Sequence, residues 1–527
     1  MYEPKNNDYD RVAYPSMAHP RTFAEGLAIR GFMRGLEVAP PDRCRVLELG
    51  CGDGFNLAAM AAVYPGSSYT GIDYSAQTVT RGRQMLADMG MAQIRLETAD
   101  IRALDGLGFE PESFDYIIAH GVYSWVPADV RDALLAVIGR LLAPQGVAFV
   151  SYQALPGSYQ REAIRSIIRY HTRGETNPED QVAQSRAILR VIATGARVDN
   201  HYTRWIATEL EEIEKRADEG LFHDELSAVS HPVLFTEFLA HAAGHGLQFL
   251  AEAEYLLPVA PGLTDEAKAK LKQLESNRVL MEQYLDFMEG RRFRQTLLCR
   301  PGLGMQLQTS RLDSLWLGCR AYLDAAPTGA INGKEMIEFK FSTESKVTTD
   351  NPVEKAVMLT ICENSGRARP FPVLFAAIQA RMAAEQIPLE PDFEEKVRLF
   401  LCRSCLPGLV QFYWSQPPFA STVPARPTTH PLARWMTRNG SEMLLNYSGK
   451  KVAVHGATGR KLVTLLDGTR DHAALVTAIR EFLATEHEAA RARGEVAKLP
   501  QPDDPSLQEQ LLRGLAGLAS LDLLQRE

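Results

Sequence analysis

Residues 45–56 read Arg45-Val46-Leu47-Glu48-Leu49-Gly50-Cys51-Gly52-Asp53-Gly54-Phe55-Asn56, and this stretch decides the fold. An apolar strand over 45–49 runs into a turn with glycine at every second position, and a helical pattern starts at Phe55. Gly50, Gly52 and Gly54 allow a backbone path that side chains would block and let the chain approach a ligand closely. The helix that follows presents free N–H groups and a partial positive charge at its start, which favour a phosphate or carboxylate. Nucleotide-binding folds in general share this much.

Outward from the turn, short apolar runs alternate with helical patterns. Tyr69–Ile72, Ile94–Thr98, Tyr116–Ala119 and Val147–Ser151 read as strands, with helices over Phe55–Val63 and Ser75–Met89. Parallel strands require such crossovers, so the expectation is an α/β, doubly wound, Rossmann-like sheet. A helix over Leu234–Ala243 and strands over Gly246–Glu252 and Tyr255–Val259 then read as the same domain resuming after a helical insertion. Three acids mark the ligand side. Glu48 precedes the turn, where an added negative charge suits a cofactor with a cationic group better than a diphosphate. Asp73 ends the second strand, the usual place for an acid that grips ribose hydroxyls. Asp100 ends the third, where a carboxylate can accept from an exocyclic adenine amine.

In order and spacing, "VLELGCGDGFN", "GIDYS", "ADI", "FDYIIAHGV" and "LLAPQGVAFVS" resemble the successive motifs of class I S-adenosylmethionine-dependent methyltransferases. The resemblance implies S-adenosyl-L-methionine as cofactor, with Gly50, Gly52, Asp53 and Gly54 around its methionine part, Asp73 on the ribose, and Asp100 and Ile101 at the adenine. Glu48, Asn56, Tyr74, His120 and Gly121 complete the candidate cofactor set. Beyond this core, "YDRVAYPS" with His19-Pro20, "AHGVYSWVP", "REAIRSIIRYH", "HGLQFLAEAEY", "EQYLDFMEGRRFRQTLLCR" and "PLARW…LLDGTRDHAAL" are similar to methyltransferases that carry a methyltransferase regulatory domain. Among these are rickettsial outer-membrane-protein lysine methyltransferases.

The segment after the fourth strand, Ala119-His120-Gly121-Val122-Tyr123-Ser124-Trp125-Val126-Pro127, is expected to face the transferable methyl group, because ligands sit beyond the carboxyl ends of such strands. It lacks the Asp/Asn-Pro-Pro-aromatic tetrapeptide of enzymes that methylate adenine or glutamine, which argues against those acceptors. Tyr14, Tyr123, Trp125 and Tyr152 are candidate aromatic walls, suited to an ammonium-bearing acceptor through cation–π attraction. His120 is a candidate proton relay or cofactor contact. An apolar pocket would lower the pKa of a lysine acceptor by desolvation. The expected function is N-methylation of lysine side chains on a protein or peptide. Alternatives are a small-molecule or natural-product methyltransferase and a cofactor-sensing protein without turnover.

A chain of 527 residues exceeds one core, which stops growing at roughly 250–300 residues. The expected organisation is a methyltransferase core over 1–260 with a helical insertion at about 161–233, then a mostly helical regulatory or docking domain over 261–414. A proline-rich linker over 415–431 and a small α+β, winged-helix-like domain over 432–527 complete it. The net charge of −8, without a long basic run, argues against nucleic acid as partner. Seven scattered cysteines are no disulfide framework, and no apolar stretch suggests a signal peptide or membrane span, so a cytoplasmic protein is expected.

Other residue clusters point to packing. Cys402 and Cys405 have metal-ligand spacing but no second pair, and His223, His231, His241 and His245 lack a zincin pattern, so packing and caps account for them and no metal is expected. Arg291-Arg292-Phe293-Arg294 reads as a solvated or domain-docking patch.

Overall fold

The computed structural model describes residues 8–527 apart from 196–199, 258–261, 275, 304–305, 320, 323–330, 342–345, 406–408 and 497. Its main sheet contains β1 Arg45–Leu49, β2 Ser68–Asp73, β3 Ile94–Thr98, β4 Phe114–Ala119, β5 Leu142–Gln153, β6 Gln248–Glu252 and β7 Phe293–Cys299. The strand order is β3-β2-β1-β4-β5-β7-β6. β1 to β5 pair in parallel, while β7 runs antiparallel between β5 and β6. Helices Phe55–Val63, Ala76–Met89 and Ala128–Leu141 supply the crossovers. The strand order reverses between β1 and β4, which opens a crevice at their carboxyl ends.

Alternation along the strands sorts side chains to two faces. Val46, Tyr116, Ile118, Val147 and Phe149 join one buried cluster. Leu47, Leu49, Ile117, Ala148, Val150 and Tyr152 join the other. Glu48, His120 and Ser151 therefore belong to the first face by register, and Tyr152 to the second.

The sheet extends beyond residue 260, which corrects the expected end of the core. β7 closes the gap between β5 and β6, and it includes residues read from sequence as a solvated basic patch. Arg294 is 0% exposed in its side chain. It is ion-paired to Glu252 at 2.7 Å, Glu282 at 3.1 Å and Asp286 at 2.8 Å, with its guanidinium 3.9 Å from the Phe235 ring centroid. A charge can be buried in this way only with several partners, and those partners come from β6 and the Arg278–Glu289 helix. Residues 255–257 form no strand, and the rest of the strand expected at Tyr255–Val259 lies outside the described residues.

Helices Ser158–His171, Pro178–Gly195, His201–Glu214 and Asp218–Glu225 form an insertion with its own apolar cluster around Ile164, Ile168, Leu189 and Ile206. The middle region has helices Pro352–Glu363, Phe371–Ala384 and Phe393–Ser404, together with two three-stranded sheets. It is thus less purely helical than expected. The C-terminal domain has a hairpin of Met443–Leu445 and Lys451–Ala453 and helices Pro431–Arg438, Ala457–Leu465, His472–Ala492 and Leu507–Ser520. Its Pro431–Arg438 helix packs on Phe55–Val63 and Ala76–Met89. The expected linker is not a free tether. Ala420 N–H donates to Leu524 O, Gln525 N–H to Thr428 O and Arg526 N–H to Pro418 O, so the segment is tied to the last residues of the chain. Among the described residues, no helix is long and apolar enough to cross a membrane.

Candidate functional site

The glycine turn hangs from β2. Gly50 and Cys51 donate N–H bonds to Ile72 O at 2.8 and 3.0 Å. Gly50 has φ of 75°, and a Cβ there would come within 2.5 Å of Val122. Gly52 has φ of 57°, and a Cβ added to it would meet nothing within 4 Å. Its backbone is open to a ligand. Asp73 Oδ2 accepts the Gly52 N–H at 2.8 Å, and Oδ1 accepts from Ser75 N–H at 2.9 Å. Burial raises the Asp73 carboxyl above its usual value, against those N–H bonds.

Glu48 is buried beside the turn. Its Oε1 accepts from Asn56 Nδ2 at 2.8 Å, while Oε2 is buried with no partner among the described residues. Burial, reinforced by Asp73 and Asp53 and opposed by Asn56, pushes this carboxyl up to about 8. Asn56 also donates to Thr22 Oγ1 at 2.9 Å and accepts from His19 N–H at 2.8 Å. This buried acid thus stands directly before the glycine turn with one oxygen unsatisfied among the described residues.

The chain before the sheet forms the cover of this crevice. Ser16 donates to Asp53, Ser75 Oγ donates to Asp10 at 2.5 Å, and the His19 ring lies 4.0 Å from that of His120. Of this segment, sequence reasoning singled out only Tyr14 as a site residue. The polar spacing of residues 10–19 has no periodicity, so the signal was confined to the resemblance of "YDRVAYPS". The Ser448–Gly449 hairpin turn abuts it, since a Cβ at Gly449 would meet Phe23 and Pro20 at 2.9 to 3.0 Å.

His120 accepts from or donates to Ser151 Oγ at 3.0 Å through Nδ1, and Ser151 also accepts Gly121 N–H at 2.9 Å. Burial, then His19, lowers His120 to about 3, and burial, then Lys451, lowers His19 to about 4. Both rings are neutral at pH 7, and a ring lowered so far is a weak base, which argues against a proton relay at His120. Ser151 is a further member of the site that the sequence pattern did not mark.

Of the four expected aromatic walls, Tyr123 and Tyr152 meet edge to face at 6.0 Å, but inside the buried cluster on the other face of the sheet. Tyr152 points to the opposite face of the sheet, stacks on Phe238 at 4.0 Å and bonds Thr296 at 3.0 Å. Tyr123 is 3% exposed, and its hydroxyl is engaged by His241 Nδ1 at 2.9 Å. Trp125 carries the Arg165 and Arg161 guanidiniums 5.1 and 5.8 Å from its ring centroid. Its π face is already used. Tyr14 remains half-exposed, 5.5 Å from His223, and burial pushes its hydroxyl up to about 12. Instead the rings around His120 are His19, Phe149 at 5.9 Å and Phe293 at 6.2 Å. At the far end of the crevice both Asp100 oxygens are held by Arg102, the closest contact at 2.6 Å. Tyr74 is exposed and Ile101 half-buried.

Three stretches of the chain match family models. These are a methyltransferase domain over residues 46–146, a predicted methyltransferase regulatory domain over 217–300, and the C-terminal winged-helix domain of PKMT over 425–523. The uncharacterized protein RP789 of Rickettsia prowazekii is 31% identical over 378 residues, covering 69% of this chain and 67% of that protein. RP028 of the same organism is 32% identical over 235 residues, covering 44% and 93%. The chain belongs to the class I methyltransferases that carry a methyltransferase regulatory domain. Its fold is similar to that of PKMT2 from Rickettsia typhi, with a TM-score of 0.80 at 24% identity over 97% of this chain and 100% of that one. PKMT2 in complex with AdoHcy gives 0.77 at 23% identity, over 97% and 99%. As a class I methyltransferase this chain takes S-adenosylmethionine as its cofactor. The unpartnered Glu48 oxygen fits it, because a sulfonium or ammonium nearby would ionise a carboxyl that burial otherwise holds protonated.

Proposed function

We propose that this methyltransferase N-methylates lysine side chains of a protein or peptide. S-adenosylmethionine supplies a methyl group made electrophilic by its sulfonium. We assign Glu48, Gly50, Gly52, Asp53, Gly54 and Asn56 to its methionine end, Asp73 and Tyr74 to the ribose, and Asp100 and Ile101 to the adenine. His120 and Gly121 stand beside the transferable carbon. Asp73 has lone pairs left after its two N–H bonds, and these suit hydroxyl donors. The N-terminal cover over the crevice would limit water at the reacting centre, which favours displacement at a cationic centre.

The observation that carries the lysine reading is the set of uncharged rings around His120, namely His19, Phe149 and Phe293. Lysine attacks only as the neutral amine, and desolvation among uncharged rings lowers its pKa toward neutrality. Phe293 is 42% exposed, so the ring set reaches the surface where an extended side chain enters. Residues 1–260 with β7 would then carry the chemistry, and 261–414 and 432–527 would hold the acceptor.

The test is transfer of labelled methyl from S-adenosylmethionine into lysate protein, comparing wild type with Asp73→Ala and hydrolysing the product to amino acids. Label in methyl-lysine that disappears with the variant is expected. Label confined to small metabolites would overturn the protein acceptor.

A further inference from the structure

Away from the cofactor crevice, three potential metal ligands meet on the outside of the other sheet face. Asp132 lies in the second turn of the Ala128–Leu141 helix. His241 lies in the last turn of Phe235–Gly244, and His245 caps that helix. Their spacing of four places both imidazoles on one side of it. Both Nε2 atoms face Asp132 Oδ1, His241 at 3.3 Å and His245 at 2.8 Å, and the three donor atoms all lie within 4.8 Å of one another. We propose that Asp132, His241 and His245 bind one zinc-class divalent cation that clamps these two helices together.

Geometry and support both favour an ion. Zinc bound at about 2.0–2.2 Å in a tetrahedron keeps neighbouring donors roughly 3.3–3.5 Å apart. The Asp132–His241 pair already has that spacing, and the Asp132–His245 pair has to open by roughly half an ångström. His241 is oriented from behind by Tyr123, 2.9 Å from Nδ1. This is the outer hydrogen bond that fixes the tautomer of a ligating histidine, and Tyr123 is itself locked in the core. His245 is set by close helix contact, since a Cβ at Gly139 would fall 2.3 Å from His245 O. Two imidazoles and one carboxylate make a mixed nitrogen and oxygen donor set of the kind zinc takes. Asp132 is 63% exposed in its side chain, which leaves an entry path and a fourth position for water.

The site is independent of the methyl acceptor. The full chain, stripped with a chelator, would be titrated with Zn2+ by calorimetry and with Co2+ by visible absorption. One equivalent of Zn2+, intense low-coordinate Co2+ bands and a raised Tm are expected. Asp132→Asn and His245→Gln should each weaken binding by more than about tenfold. Asp132→Asn alters only an exposed side chain, so it reports even if the histidine variant folds poorly. Absence of binding below about 0.1 mM, or unchanged binding in Asp132→Asn, would overturn the site.

Discussion

The backbone N–H of Gly52 donates to the carboxylate of Asp73 across 2.8 Å, joining the turn after β1 to the end of β2. One side chain thus both shapes the turn and faces the crevice. Asp73→Ala should weaken S-adenosylmethionine binding by roughly 1.5–3 kcal/mol, the worth of hydrogen bonds to a charged group. Calorimetry at fixed salt measures this, and an unchanged affinity would remove Asp73 from the ribose.

Glu48 makes cofactor binding depend on pH. Its folded carboxyl titrates near 8, against an ordinary value of 4.5. In the ligand-free chain its stabilising contribution is full below the unfolded value and is lost as pH rises through about 8. A cationic ligand favours the carboxylate, so binding releases a proton. Affinity should therefore rise with pH and level off above about 8. Glu48→Gln should flatten this dependence and stabilise the ligand-free chain at pH 8. Calorimetry in two buffers of different ionisation enthalpy reads the proton directly; no proton release in wild type would contradict the assignment.

His120, lowered to about 3 by burial and by His19, stays neutral across the working range. The pH profile of kcat/KM should have no limb from this ring between about pH 5 and 8. His120→Asn should reduce kcat by about tenfold, the loss of roughly one hydrogen bond, and leave the profile's shape unchanged. A limb near pH 6.5 that vanishes in the variant would restore a proton-relay role.

Arg294 holds Glu252, Glu282 and Asp286 in a buried cluster. Arg294→Met leaves those carboxylates without their central cation and should cost about 3–5 kcal/mol in urea unfolding. Adding Glu282→Gln should recover part of the loss. An Arg294→Met chain as stable as wild type would show that water reaches the cluster.

The parts of the site carried by local pattern were legible. The turn at Gly50–Gly54 and the acids Glu48, Asp73 and Asp100 follow from strand ends and glycine spacing, both properties of short consecutive stretches. β7 was not legible. Arg294 and Thr296 give it a polar alternation that reads as surface until the carboxylates of another helix and strand come to meet it. Tyr123 and Tyr152 failed as acceptor walls because identity says nothing about which sheet face a side chain takes or what its hydroxyl finds there. The cover over the crevice, from Asp10 to His19, has no periodicity and acquires meaning only from Asp53, Asn56, Ser75 and His120.

By itself the sequence determined that the protein has a doubly wound sheet with a cofactor crevice beyond β1 and β2, because strand period, turn glycines and capping acids act over short stretches of chain. Tertiary structure alone decided which groups are charged and which touch. The neutral state of His120, the unpartnered oxygen of Glu48 and the meeting of Asp132 with His241 and His245 depend on burial and on residues far apart along the chain. Electrostatics and desolvation act through space, so no reading along the chain contains them.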